Sequence, residues 1–329
     1  MPHSDETFLI TGSFGCIGAW VLRTLVRDGA RVVATDLSDD PVRPALVMSE
    51  EELAAVEFRQ LDVTDRDAVV RMVAETGTTH VIHLAGLQVP FCRANPTLGA
   101  MVNVVGTVNI CEAVKEAGDR IRGFSYASSQ AVFGVPELYA GGPVPDSARL
   151  VPDTLYGVYK QANEGTLRVY WEEYGVSSVG LRPYIVYGVA RDQGMTSDIA
   201  KAILAAVAER PYTLRFDGPV ALQLAADTAR IFIACARSGH RGAAACNLRN
   251  DVVTVQEFVT ELRRQFPSAD LSWTDNSPLP FPHDMDASGL RSILGTVPHT
   301  PLPQGIADTA AHFGALLADS RIDLGQLDG

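Results

Sequence analysis

The chain has 329 residues, 47% hydrophobic and 20% charged, which suits a sizeable buried core and excludes wholesale disorder. Its 27 Lys and Arg against 39 Asp and Glu leave a net charge of −12, and no run of positive charge breaks that balance. A nucleic-acid or anionic-membrane surface needs a basic patch, so neither partner is expected.

In chain order, residues 7–10 form a short apolar run that stops at Thr11-Gly12. Residues 16–27 then carry Ile17, Trp20, Val21 and Leu25 at helical spacing, and Gly29 stands where a C-cap glycine would. Residues 31–35 read as a buried strand, completing a βαβ unit. The alternation goes on: strand 56–59, helix 65–75, strand 80–84, helix 98–116, strand 123–127, helix 156–174 and strand 176–182. Residues 135–154 are rich in Pro and Gly and read as a surface loop. Strands separated by helices need right-handed crossovers, so the fold expected is α/β, a doubly wound parallel sheet of the Rossmann type.

The rhythm changes after Gly188. Residues 196–208, 227–236 and 254–266 read as helices, 212–216 as a strand, and Pro278, Pro280 and Pro282 mark an irregular stretch. Two regions are expected. Residues 1–188 form a nucleotide-binding body, and residues 189–329 form a smaller substrate-binding part with segments that return to the body. Ala243-Ala244-Ala245 reads as a local compositional bias.

Gly12, Gly15 and Gly18 lie between the first strand and the first helix. A glycine permits the tight turn, a second lets backbone approach a pyrophosphate, and a third lets helix and strand pack closely. The helix N-terminus adds free N–H groups and partial positive charge. Asp36 ends the second strand, where a carboxylate accepts hydrogen bonds from adenosine ribose hydroxyls and repels a 2′-phosphate. Leu37-Ser38 follow it rather than an arginine, which favours NAD over NADP.

Tyr156 and Lys160 are four residues apart on a helix and share a face. A lysine ammonium one turn away, with a positively charged nicotinamide nearby, would favour the phenolate of a tyrosine whose ordinary pKa is ~10. Tyr159 points elsewhere, because adjacent helical residues diverge. Ser128 and Ser129 follow the strand 123–127 at its C-terminal end, the edge where ligands bind a doubly wound sheet.

At this point the chain resembles the extended short-chain dehydrogenase/reductase family, its NAD-dependent epimerase/dehydratase group. The matching pieces are Thr11-Gly12-Ser13-Phe14-Gly15-Cys16-Ile17-Gly18, Asp36, Asp62-Val63, His83-Leu84-Ala85-Gly86, Asn103, Ser128-Ser129-Gln130-Ala131-Val132-Phe133-Gly134, Tyr156-Gly157-Val158-Tyr159-Lys160, and Arg182-Pro183 leading to Val186-Tyr187-Gly188. Residues 286–313, through Leu294-Gly295, look like the end of that group. The resemblance implies that Tyr156 is the general base or acid, that Lys160 holds the nicotinamide ribose, and that Ser129 binds the substrate oxygen with Ser128 beside it. It also implies a cofactor cradle of Gly12, Phe14, Gly15, Cys16, Ile17, Gly18 and Asp36, with Asp62 and Val63 at the adenine. Leu84, Ala85, Gly86 and Asn103 complete it. A homodimer through the helices 98–116 and 156–174 is implied as well.

The chain departs from the nucleotide-sugar members at two anchors for the diphosphate. An asparagine is replaced by Ile185, and an arginine seven residues ahead of Asp227 by Val220. Apolar side chains cannot pair with a diphosphate. Gln88, Arg93 and Arg191 are the polar candidates for a small substrate, an arginine being able to clamp a carboxylate with two hydrogen bonds. The expectation is therefore a sugar acid, polyol or hydroxy acid. His83 reads as a packed histidine, and no histidine pairs with carboxylates at metal-ligand spacing, so no metal is expected.

Cys16, Cys92, Cys111, Cys235 and Cys246 are odd in number and scattered. This reads as reduced thiols in a cytoplasmic protein. The first residues show no basic segment followed by an apolar one, so no secretory signal is read. The apolar runs are shorter than the ~18 residues of a membrane span. Three functions compete: an NAD-dependent dehydrogenase of a small substrate, a sugar or nucleotide-sugar epimerase, and a non-enzymatic NAD sensor.

Overall fold

The computed structural model describes residues 5–139 and 142–328. The first four residues, read above for a leader, lie outside that range, as do residues 140–141 of the loop 135–154.

The N-terminal body runs β1 (Thr7–Thr11), α1 (Cys16–Arg27), β2 (Arg31–Asp36), α2 (Val42–Val47), α3 (Glu50–Ala54), β3 (Glu57–Gln60), α4 (Arg66–Glu75) and β4 (His80–His83). It continues with α5 (Val89–Ala94), α6 (Pro96–Ala100), α7 (Gly106–Ala117), β5 (Gly123–Ala127), α8 (Leu155–Tyr174) and β6 (Ser178–Arg182). Beyond lie β7 (Ile185–Tyr187), α9 (Asp198–Val207), β8 (Tyr212–Leu214), β9 (Pro219–Leu224), α10 (Ala225–Arg237), β10 (Ala243–Asn247) and β11 (Asp251–Thr254). The chain closes with α11 (Val255–Gln265), β12 (Leu271–Trp273), α12 (Ser288–Leu294) and α13 (Leu302–Ala318).

Seven strands form one parallel sheet in the order β10-β6-β5-β4-β1-β2-β3. The order reverses between β1 and β4, which opens a crevice at the carboxyl ends of these strands. Alternation along each strand feeds two cores. Phe8 and Ile10 face one side with Leu22 and Leu25 of α1 and Phe232 of α10. Leu9 faces the other, with Val69 of α4, Ile110 of α7 and Leu167 of α8. The fold is thus the doubly wound α/β sheet expected.

Three differences are instructive. The alanine triplet opens β10, an edge strand in register with β6 through Ala243 and Ser178. Alanine has little strand preference, so tertiary pairing imposes this strand. Together with α10 it brings chain beyond residue 188 back onto the sheet. Second, β7, β9 and β11 form a small sheet of their own. Third, the helix expected at 98–116 is α6 and α7 joined by a π-helical turn, Met101–Val105. The whole run Pro96–Arg120 is 25 residues and, by length and composition, apolar enough to cross a membrane, contrary to expectation. Half of its apolar window is buried in the body, as in the core helix of a globular fold.

Candidate active site

A cleft of about 850 Å³ runs along the carboxyl ends of β1, β2, β4 and β5. Its volume lies toward the upper end of the ~300–1,000 Å³ usual for ligand sites. One end is made of backbone. Gly12 has φ +67, and a Cβ there would lie 2.6 Å from the Ala85 nitrogen. A Cβ on Gly18 would lie 2.5 Å from the Gly12 carbonyl oxygen. No side chain fits at either position. Gly15 caps α1 without a side chain, and no acidic residue occupies the first helical turn. The helix therefore presents its free N–H groups and its positive end to the cleft.

Asp36 stands beside this loop. Its two oxygens accept the Phe14 N–H at 3.0 Å and the Leu37 N–H at 2.8 Å. Asp36 lines the cleft, and its oxygens keep acceptor capacity for ribose hydroxyls. Asp62 and Val63 line the wall beyond, with Asp62 pinned by the Thr64 N–H and hydroxyl, both at 2.8 Å. Leu84, Ala85 and Gly86 follow β4 into the cleft. A Cβ on Gly86 would meet Asn103 Oδ1 at 2.7 Å and Lys160 Nζ at 3.2 Å. Asn103 sits on the π-helical turn behind Gly86 rather than on the cleft wall. Its amide N–H group donates to the Gly99 carbonyl at 2.9 Å and the Leu87 carbonyl at 3.2 Å. Its buried Oδ1 has no partner. His83 is packed, as expected: it bridges the hydroxyls of Thr11 at 2.6 Å and Thr107 at 3.1 Å. Burial, then the charge of Lys160, pushes it down to about 3, so the ring is neutral.

The other end carries the reactive side chains. Thr154 caps α8 by accepting the Gly157 N–H at 3.0 Å. Gly157 packs so closely on the Ala131 carbonyl that a Cβ would collide with it. This seats the first turn of α8 on the turn Gln130–Val132 and brings Tyr156 beside Ser129. Lys160 is buried, donates to the Ala127 carbonyl at 2.8 Å, and lies 5.6 Å from the centre of the Tyr156 ring. Burial lowers it to about 8. Tyr159 donates to the Pro96 carbonyl at 3.0 Å, away from the site. The electrostatics of Tyr156 differ from expectation. Burial raises its pKa, and the opposing pull comes from the Ser129 hydrogen bond and the charge of Arg191, not from Lys160.

Ser129 and Ser128 have different duties. Ser129 accepts the Ala131 N–H at 3.2 Å and lines the cleft. Ser128 is buried and gives its proton to Glu164 at 2.5 Å. Glu164 also holds Arg182 in a two-pronged pair at 2.8 and 2.7 Å. The Ser128 hydroxyl is thereby tied to the body, although Ser128 also lines the cleft beside Ser129. Arg93 stands apart from both. It lies exposed on α5, where Cys92 takes the inward face, and it does not line the cleft. Gln88 and Arg191 do line it.

Sequence reasoning missed Tyr184 and Phe281, which close the substrate end as an edge-to-face pair 6.1 Å apart. Phe281 comes from the proline-rich stretch, which has no periodicity to read. Ile185 and Val220, at the positions of the missing diphosphate anchors, are fully buried in β7 and β9.

The model of the NAD dependent epimerase/dehydratase family matches residues 8–244. The chain belongs to that family. NAD is the family's cofactor, and the glycine cradle and Asp36 fit it. A UDP-glucose 4-epimerase of Mycolicibacterium smegmatis is 32% identical over 204 residues, which are 60% of this chain and 63% of that one. UDP-glucuronate 4-epimerase 3 of Arabidopsis thaliana is 31% identical over 185 residues, 55% of this chain and 42% of that one. The chain thus aligns with less than two thirds of the length of these relatives. Among solved structures, an L-threonine dehydrogenase from Cupriavidus necator superposes with a TM-score of 0.80 at 23% identity, covering 93% of this chain and 99% of that one. The UDP-glucose 4-epimerase of Thermotoga maritima, solved with UDP-glucose, superposes at 0.81 and 20% identity, covering 94% and 99%. Such likeness shows the fold, and the two neighbours work on substrates of different size.

Proposed function

We propose that this protein is a dehydrogenase that oxidises a secondary alcohol on a small polar molecule, a sugar acid, polyol or hydroxy acid. The observation that carries the reading is one cleft with Ser129, Tyr156 and Lys160 beside its cofactor cradle and Tyr184–Phe281 closing its substrate end. Ser129 Oγ holds the substrate oxygen. Tyr156 takes the hydroxyl proton as the carbonyl forms; burial alone disfavours its phenolate, which the positive charge of a bound nicotinamide would favour. Lys160 keeps a positive charge close by and holds the cofactor ribose. Bound NAD supplies the acceptor for the hydride that leaves the same carbon. Gln88 is the polar contact that orients the rest of the substrate.

The buried Ile185 and Val220 favour a free substrate over a nucleotide sugar. The epimerase reading is supported by the curated relatives; it requires oxidation and hydride return with no net NADH. A purely sensing role is disfavoured by the intact Tyr156, Lys160 and Ser129. A homodimer is part of the proposal, supported by exposed Leu98, Met101, Leu155 and Val158 on the two long helices. A cytoplasmic setting is supported by the five unpaired cysteines. The test is NADH formation across sugar acids, alditols, hydroxy acids and sugar nucleotides, repeated with Tyr156→Phe, which is expected to be inert.

A further inference from the structure

The segment 189–196, between β7 and α9, lies across the phosphate loop and is tied down on both sides of it. Trp20 of α1 donates its indole N–H to the Val189 carbonyl at 3.0 Å. Arg43 of α2 pairs with Asp192 at 2.9 Å and donates to the Phe14 carbonyl at 3.3 Å. Residue 191 falls between these two ties, so it stands over residues 14–20, where the positive end of α1 opens into the cleft. The backbone is bent to put it there. Ala190 holds φ +73, a left-handed conformation that a side chain resists, with Gly188 and Gly194 also at positive φ on either side. A Cβ on Gly194 would strike Gln88, so the segment presses against the loop after β4.

Arg191 itself is incompletely satisfied. One terminal nitrogen donates to Thr196 Oγ1 at 3.2 Å. Its Nε is buried with no partner. A buried donor of this kind is costly unless an acceptor arrives. The cations among the described residues lining the cleft are Arg43, Lys160 and Arg191. Arg43 is spent on Asp192 and Phe14, and Lys160 serves the opposite end. The phosphate loop, Gly12 to Gly18, has no basic residue. Cys16 within it is pushed up to about 11 by burial, against the pull of Arg191, so its thiol adds no negative charge.

We propose that Arg191 binds the diphosphate of the dinucleotide, closing over it from above as the N-terminus of α1 supports it from below, with the Arg43–Asp192 pair as the tie that holds the segment shut. This moves Arg191 from the substrate, where the sequence had put it, to the cofactor. It rests on NAD as the cofactor and is independent of the substrate's identity. The tie is partly exposed, with side chains 25% and 29% accessible, and such pairs are weak. It can open at every turnover, as a dehydrogenase that exchanges its nucleotide requires.

The test is calorimetric binding of NAD, ADP-ribose and adenosine to the wild type, Arg191→Ala and Asp192→Asn, each first checked for an unchanged thermal midpoint. Losing hydrogen bonds to a charged group corresponds to about 10- to 100-fold in affinity. Arg191→Ala is expected to weaken NAD and ADP-ribose together by that factor and to leave adenosine within twofold. Asp192→Asn is expected to weaken NAD only about two- to fivefold, through faster release in stopped flow. Unchanged Kd for NAD and ADP-ribose in Arg191→Ala would overturn the proposal. A rise confined to the KM of the alcohol substrate would return Arg191 to the substrate. Failure of the wild type to bind NAD would instead overturn the cofactor reading itself. Should Arg191→Ala lower the thermal midpoint, Arg191→Lys replaces it: the same joint loss for NAD and ADP-ribose supports the proposal, and wild-type Kd values overturn it.

Discussion

The cofactor end of the cleft is made mostly of backbone, and the substrate end mostly of side chains. At the first, glycines at 12, 15, 18 and 86 leave no room for side chains, and free helix N–H groups face the cleft. At the second, Gln88, Ser129, Tyr156, Tyr184 and Phe281 arrive from separate loops and one helix. Backbone recognition tolerates few sequences, because a Cβ at the wrong place collides. Side-chain recognition can be rebuilt by exchanging residues on the same frame. The fold can therefore keep its cofactor while its substrate changes, and the two ends should respond differently to mutation.

The largest difference is expected from Tyr156→Phe. Loss of the general base should lower kcat by about 10²–10⁴-fold, while NAD affinity by titration stays within twofold. A matching fall in NAD affinity would contradict the division between the ends. Next comes the serine pair. Ser129→Ala should lower kcat by about 10²–10³-fold, as does loss of one donor to a developing oxyanion. Ser128→Ala should leave kcat within about threefold and cost about 1–2 kcal/mol of stability in a denaturant melt. Equal kinetic effects would mean that Ser128 holds the substrate together with Ser129.

The framework behind that pair was not legible in the sequence. Arg182 and Glu164 are 18 residues apart, and only the fold brings them together as a buried pair between β6 and α8. Tyr184–Phe281 was hidden for the same reason, and β10 because alanines carry no strand pattern. By contrast, the βαβ start, Asp36 and the Tyr156–Lys160 spacing were readable, since turn geometry and helical period act over a few residues. The bond from Ser128 to Glu164 was not legible, because adjacent hydroxyls look alike until the fold supplies their partners. Arg93 was misplaced because nothing local says which face of a short helix turns outward. Glu164→Gln tests this framework. Taking the charge partner from buried Arg182 should cost about 3–5 kcal/mol, read as a lower denaturation midpoint.

A smaller effect concerns Lys160. Its folded pKa, about 8, is below its ordinary 10.5. Between those values the unfolded chain binds more protons, so the Lys160 contribution makes stability rise with pH there. Below pH 8 the buried ammonium costs on the order of 2–3 kcal/mol. Lys160→Met removes that cost but strands the Ala127 carbonyl. Its stability relative to wild type should therefore be highest below pH 8 and decline as pH rises toward 10.5. A pH-independent difference, by denaturant titration without NAD, would mean that the ammonium is not penalised by its surroundings.

The central claim is that a family frame with its cofactor end intact works on a small free substrate. The most direct measurement is NADH absorbance with sugar acids, alditols and hydroxy acids on one side and UDP-sugars on the other. Net NADH from a small hydroxylated molecule and no turnover of the UDP-sugars are expected. Interconversion of a UDP-sugar without net NADH would contradict that claim.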